Sequence, residues 1–96
     1  MTASETVARN REAIHRLAAR YGALEIRLIG SVARGDEDDA SDIDFLVRMS
    51  PGRSLLDLGG LLMDLEALLG REVDVVSEGG LYGRFREQVL REAIAV

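Results

Sequence analysis

The chain has 96 residues, of which 47% are apolar, with no cysteine and a formal net charge of −5. That length suits a single domain over residues 1–96 with a core of modest size. The missing cysteines exclude a disulfide framework and a thiolate metal site, and the acidic balance argues against broad binding to nucleic acid or an anionic membrane.

Thr2 and Glu5 have the spacing of a capping box, which opens a helix. Val7, Ile14, Leu17, Ala18 and Tyr21 recur at near-helical spacing, and Gly22 is a natural end. Residues 24–29 then alternate apolar with charged, which predicts a strand with one covered face. Gly30-Ser31 ends it, and Ser31 can begin a short helical turn through Arg34. Residues 35–41 form a polar loop whose acidic run lacks the glycine and distal glutamate offsets of a calcium loop. A second strand follows over residues 42–49, with Ile43, Phe45 and Val47 on one face and Asp42, Asp44, Leu46 and Arg48 on the other. Ser50-Pro51-Gly52 breaks it, and Ser54 can cap a helix with a broad leucine stripe from Leu58 to Leu69. Gly59 and Gly60 weaken the middle of that helix by about 1 kcal/mol each relative to alanine if exposed. Residues 72–76 predict a short third strand. A last helix carries Leu81, Phe85, Val89, Leu90, Ala93 and Ile94. The order of elements predicts an α/β or α+β layered fold.

Chemistry concentrates in two segments. Asp42 and Asp44 are two apart on a strand, so their carboxylates share a face and repel unless a cation lies between them. Oxygen-only ligands of high charge density suit Mg²⁺, which usually arrives with a phosphate. Gly30 and Ser31 offer backbone N–H groups and a hydroxyl for that phosphate. Taken alone, an Asp-x-Asp pair is the wet face of a half-exposed strand and Gly-Ser is a plain turn; their conjunction favours a nucleotide site. Asp74 lies between Val73 and Val75 on the third strand. If that strand pairs in register beside the second, Asp74 joins the other two. Asp42 and Asp44 then bridge two metal ions, and Asp74 sits on the ion that activates a nucleophile. Arg34 either touches phosphate or pairs with a loop carboxylate. All 12 basic residues are arginine, so phosphate has no lysine clamp. His15 is assigned no role.

At these residues, G-S-V-A-R-G followed by S-D-I-D-F-L-V, the sequence resembles the DNA polymerase beta-like nucleotidyltransferase superfamily, and specifically its minimal prokaryotic members. The resemblance extends through residues 68–76 and the tail at 85–93. It implies a polymerase-beta-like core, a small mixed sheet backed by helices. It further implies that Gly30 and Ser31 hold the β- and γ-phosphates of a nucleoside triphosphate. Asp42 and Asp44 bind two Mg²⁺ ions, and Asp74 is the third ligand and the base for an acceptor hydroxyl. Minimal proteins of this kind resemble antitoxins encoded beside HEPN-domain RNase toxins, in which AMP passes from ATP to a tyrosine of the toxin. The implied partner is such a toxin, in a hetero-oligomer. The acidic chain suits a basic RNase better than free RNA as acceptor, and its length leaves no room for a second acceptor-gripping domain. The alternatives are neutralisation of the toxin by stoichiometric contact, or transfer to a small molecule such as an aminoglycoside. No apolar run approaches the roughly 20 residues of a membrane helix. The amino terminus has no basic region followed by an apolar one, so a cytoplasmic protein is expected.

Overall fold

The computed structural model describes residues 1–36 and 42–96, so most of the predicted polar loop, including Ser41 of the motif, lies outside the described residues. Four strands, β1 (Ala23–Ile29), β2 (Ile43–Met49), β3 (Val73–Ser77) and β4 (Ile94–Ala95), form one mixed sheet in the order β3-β2-β1-β4. β1 runs antiparallel to both β2 and β4, while β2 and β3 are parallel. A parallel pair needs a crossover, and α4 (Leu55–Leu69) provides it. The remaining helices are α1 (Ala3–Arg9), α2 (Arg11–Arg20), α3 (Gly30–Arg34) and α5 (Gly83–Glu92).

Strand alternation builds the main core as the sequence predicts. Ile43, Phe45 and Val47 are wholly buried on one face. The register sets Leu28 opposite Phe45 and Ile26 opposite Val47, so β1 adds to the same face. Ile14 and Ala18 of α2 and Leu61, Leu65 and Leu69 of α4 cover it. Each large side chain removed from water here contributes roughly 1.5–3 kcal/mol. On the opposite face Leu46 is also buried, with Ile29, Leu81 and Val89, because α5 packs there. The second face of β2 is thus apolar in its middle rather than wet throughout.

The caps form as read. The Glu5 N–H donates to Thr2 Oγ1 at 3.1 Å and the Thr2 N–H donates to Glu5 Oε1 at 3.2 Å. The Ser54 N–H donates to Asp57 Oδ2 at 2.9 Å, and the Leu56 N–H donates to Ser54 Oγ at 3.2 Å. The amino-terminal helix, however, is two helices. Asn10 leaves helical geometry (φ −108°, ψ 15°), and its side-chain amide donates to Thr6 O at 2.8 Å, a local bond that competes with helix continuation. The carboxy-terminal helix is shorter than its periodicity suggests. It ends at Glu92, Ala93 is extended, and Ile94 pairs with Leu28 as an edge strand. Leu81 precedes that helix yet is buried, whereas Phe85 on it is exposed. Val96 O accepts from Arg11 Nε at 3.2 Å and lies 3.0 Å from His15 Nε2, which ties α2 to the strand end. Among the described residues, no helix is long and apolar enough to cross a membrane.

Gly60 has a packing role that composition alone does not reveal. A Cβ there would lie 2.5 Å from Cε1 of Tyr21, whose hydroxyl donates to Asp64 Oδ2 at 2.6 Å and pins the ring against α4. Gly60→Ala gains about 1 kcal/mol of helix propensity but must displace an anchored ring, at about 1–3 kcal/mol. The expected result is a net loss, read by thermal unfolding as a Tm drop of about 4–8 °C for each kcal/mol lost. A Tm at or above wild type would contradict the packing account.

Candidate active site

The parallel register of β2 and β3 sets Asp44 directly opposite Asp74. Both point to the face covered farther along by Leu46 and Val76, which pack under α5. They meet in a cavity of about 390 Å³ between the sheet and α5, where Gly30 and Arg34 also line the wall. The carboxyl of Asp44 is pushed up to about 6. Burial is the largest cause, followed by the negative charge of Asp74, a hydrogen bond shared with Asp74, and the charge of Asp42. Arg34 acts in the opposite direction.

The local sequence explains the close approach. Gly30, which follows β1 and opens α3, has φ +74°, and a Cβ at that position would overlap Asp44 Oδ2. Only glycine meets both conditions. The chain then turns through α3, and Gly35 closes it in the left-handed conformation. Ser31 follows Gly30 as the second residue of that turn, half-buried, and is not part of the cavity wall. Arg34 pairs with a loop carboxylate, one of the two roles open to it from sequence. Its Nε lies 3.3 Å from Asp36 Oδ2 and its Nη1 3.3 Å from Glu92 Oε2, a link that ties α3 to α5.

Asp42 lies just ahead of β2 rather than on it, exposed and off the cavity wall, close enough for its charge to act on Asp44. Three like charges repel, and the one without strand constraint stays in water. Among the described residues, no group of three or more His, Cys, Asp or Glu side chains gathers closely enough to hold a metal ion. The structure thus brings together Asp44, Asp74, Gly30 and Arg34, with Asp42 at the margin. The all-oxygen donor pair, with two carboxylates side by side on adjacent strands, suits a hard divalent cation.

Sequence reasoning did not assign α5 to the site. Phe85, Gln88, Val89 and Glu92 form one wall of the cavity. The spacing of Leu81, Phe85 and Val89 reads as an ordinary core stripe, and no local signal separates the residue that faces the cavity. A larger hollow of about 530 Å³ beside β1 and β4 is lined by His15, Leu24, Glu25 and Arg27 and contains no carboxylate pair.

Residues 11–96 match the nucleotidyltransferase domain family. The chain is 41% identical over 80 residues to the protein adenylyltransferase MntA of Thermococcus cleftensis, covering 83% of this chain and 81% of that protein. A solved structure assigned as a minimal nucleotidyltransferase superposes with a TM-score of 0.90 at 53% identity, covering 100% of this chain and 97% of the other. A toxin-antitoxin crystallised with AMP-PNP shares the fold at 24% identity, with a TM-score of 0.76 over 90% of this chain and 71% of that one. A mixed four-stranded sheet with an acidic pair in register beside a Gly-Ser turn, matched along nearly its whole length, makes this chain a nucleotidyltransferase of the minimal, polymerase-beta-like kind.

Proposed function

We propose that the protein transfers AMP from ATP to a tyrosine hydroxyl of a partner HEPN-domain RNase toxin, and so acts as an antitoxin within a hetero-oligomer. The observation that carries the reading is the Asp44–Asp74 pair, aligned across two parallel strands in a cavity bordered by Gly30. The likeness to an adenylyltransferase named MntA supports protein as the acceptor. The fold shared with a toxin-antitoxin crystallised with AMP-PNP supports a toxin partner and a nucleoside triphosphate. A net charge of −5 favours a basic partner protein over free RNA.

Asp42, Asp44 and Asp74 would hold two Mg²⁺ ions, which supply neutralisation of charge on the attacked and leaving oxygens. Gly30 and Ser31 would cradle the β- and γ-phosphates, the glycine because no side chain fits between its backbone and Asp44. Asp74 is exposed at the rim and accepts the proton of the incoming hydroxyl. The hydroxyl oxygen forms a bond to the α-phosphorus while the α–β bridging bond breaks, and pyrophosphate leaves. Arg34, already paired with Asp36 and Glu92, holds α3 against α5 and keeps the cavity in shape.

The test is incubation of the chain with α-labelled ATP, Mg²⁺ and a HEPN-domain protein from the same genome. Label is expected on a partner tyrosine with wild type and not with Asp74→Asn, whose amide cannot take the proton. Absence of label with wild type, while the two proteins still bind, would leave neutralisation by contact as the function.

A further inference from the structure

We propose that Phe85 is the platform on which the base of the nucleotide stacks; this rests on reading the cavity as a nucleotide-transfer site. The walls of the cavity divide by chemistry. Arg34, Asp44, Asp74 and Glu92 are charged, whereas Val75, Phe85 and Val89 are apolar. A nucleotide divides in the same way, with a charged phosphate chain at one end and a flat apolar ring at the other.

Four aromatic residues are present in the chain. Phe45 is wholly buried, and the Tyr21 hydroxyl is occupied by Asp64. Tyr82 is exposed but does not line the cavity. Phe85 lines it and is still 63% exposed, although Val89, one turn farther along α5, is buried beneath it. The ring therefore gives little to the core and is available to the cavity that it lines. Stacking on such a face tolerates any base, because every base has a π-surface. Gln88 lies three residues on, on the same side of the helix, and is the one uncharged polar side chain among the described lining residues apart from glycine backbone. Its amide both donates and accepts, as the edge of a base requires.

Calorimetric titration of wild type, Phe85→Ala and Phe85→Trp with a non-hydrolysable ATP analogue and with tripolyphosphate, both in Mg²⁺ buffer, tests this. Because Phe85 is exposed, both variants should keep the wild-type Tm. Phe85→Ala is expected to lose about 5- to 100-fold in affinity for the analogue, with tripolyphosphate binding unchanged, and Phe85→Trp to retain both. Unchanged affinity for the analogue would overturn the assignment, as would an equal loss for both ligands, which would mean that the ring only shapes the cavity. A raised KM for the acceptor protein with nucleotide affinity intact would also overturn it and assign the ring to the acceptor. Failure of wild type itself to bind the analogue would instead bring down the ATP reading, and this inference with it.

Discussion

Replacing Asp44 with asparagine is expected to remove nucleotidyl transfer and, in the same protein, to raise thermal stability at neutral pH in metal-free buffer. Both effects come from one carboxylate held where it is uncomfortable. Burial and the neighbouring charges of Asp74 and Asp42 push its pKa up to about 6, against 3.8 for the free side chain. The folded state therefore binds this proton more tightly than the unfolded chain. From about pH 4 to about pH 6 the folded protein holds more protons at this site, so stability falls as pH rises, and the full penalty is present above about pH 6. A shift of this size corresponds to about 3 kcal/mol at most. Solvent screening at a half-buried group reduces that to about 1–2 kcal/mol. Asparagine keeps the shape and removes the charge, so the gain at pH 7.5 should be about 5–10 °C in Tm and should shrink toward zero near pH 4, where wild-type Asp44 is already neutral. Losing an electrostatic element at the reacting centre costs at least about 10²–10³-fold in rate. A variant that is less stable at pH 7.5, or that gains equally at both pH values, would refute the electrostatic account. Retained transfer would remove Asp44 from the proposed chemistry.

The sequence made the main core and the acidic segment readable for one reason: both depend on strand alternation. Ile43, Phe45 and Val47 point inward wherever β2 sits in the sheet, and Asp44 must then point the other way. The partnership with Asp74 was legible only conditionally. Val-Asp-Val-Val fits an edge strand in any register, and which residue meets Asp44 depends on how α4 returns the chain alongside β2. Where local preference and tertiary context disagree, the tail follows context. Residues 85–94 have helical periodicity, yet Ile94 leaves the helix because the free edge of β1 offers it hydrogen bonds. Alternation places Leu46 on the face of Asp44 but does not show that this face is covered there, because the covering element, α5, lies 37 residues or more away in sequence (83 − 46). Gly60 is the same lesson at short range. Its cost to helix propensity is visible in the sequence, but the Tyr21 ring that requires it is not. Asp42 differs for a simpler reason: strand pairing begins at Ile43, so alternation no longer fixes its direction.

Gly30→Ala is expected to damage the fold and the site together, and a second glycine separates the causes. Gly30 and Gly35 both have positive φ, +74° and +79°. An alanine in that region costs about 1–2 kcal/mol from backbone strain alone. At Gly35 no atom of the described residues lies within 4 Å of an added Cβ, so Gly35→Ala should show that cost and no more. At Gly30 the added Cβ would overlap Asp44 Oδ2, so the carboxylate or the β1–α3 turn must move. Displacing packed atoms adds about 1–3 kcal/mol, which puts Gly30→Ala about 2–5 kcal/mol below wild type in urea unfolding. Transfer should fall at least about 10²-fold, because shifting a reacting group by about 1 Å is enough for that. The double variant Gly30→Ala with Asp44→Ala isolates the contact. Without the carboxylate the overlap disappears, and the two changes should be non-additive by about 1–2 kcal/mol, as expected for residues that touch. Strict additivity would mean that the glycine serves only its own backbone. The coupling expected here instead makes residue 30 glycine for the sake of residue 44, and ties a turn and a strand 14 positions apart (44 − 30) into one packed unit.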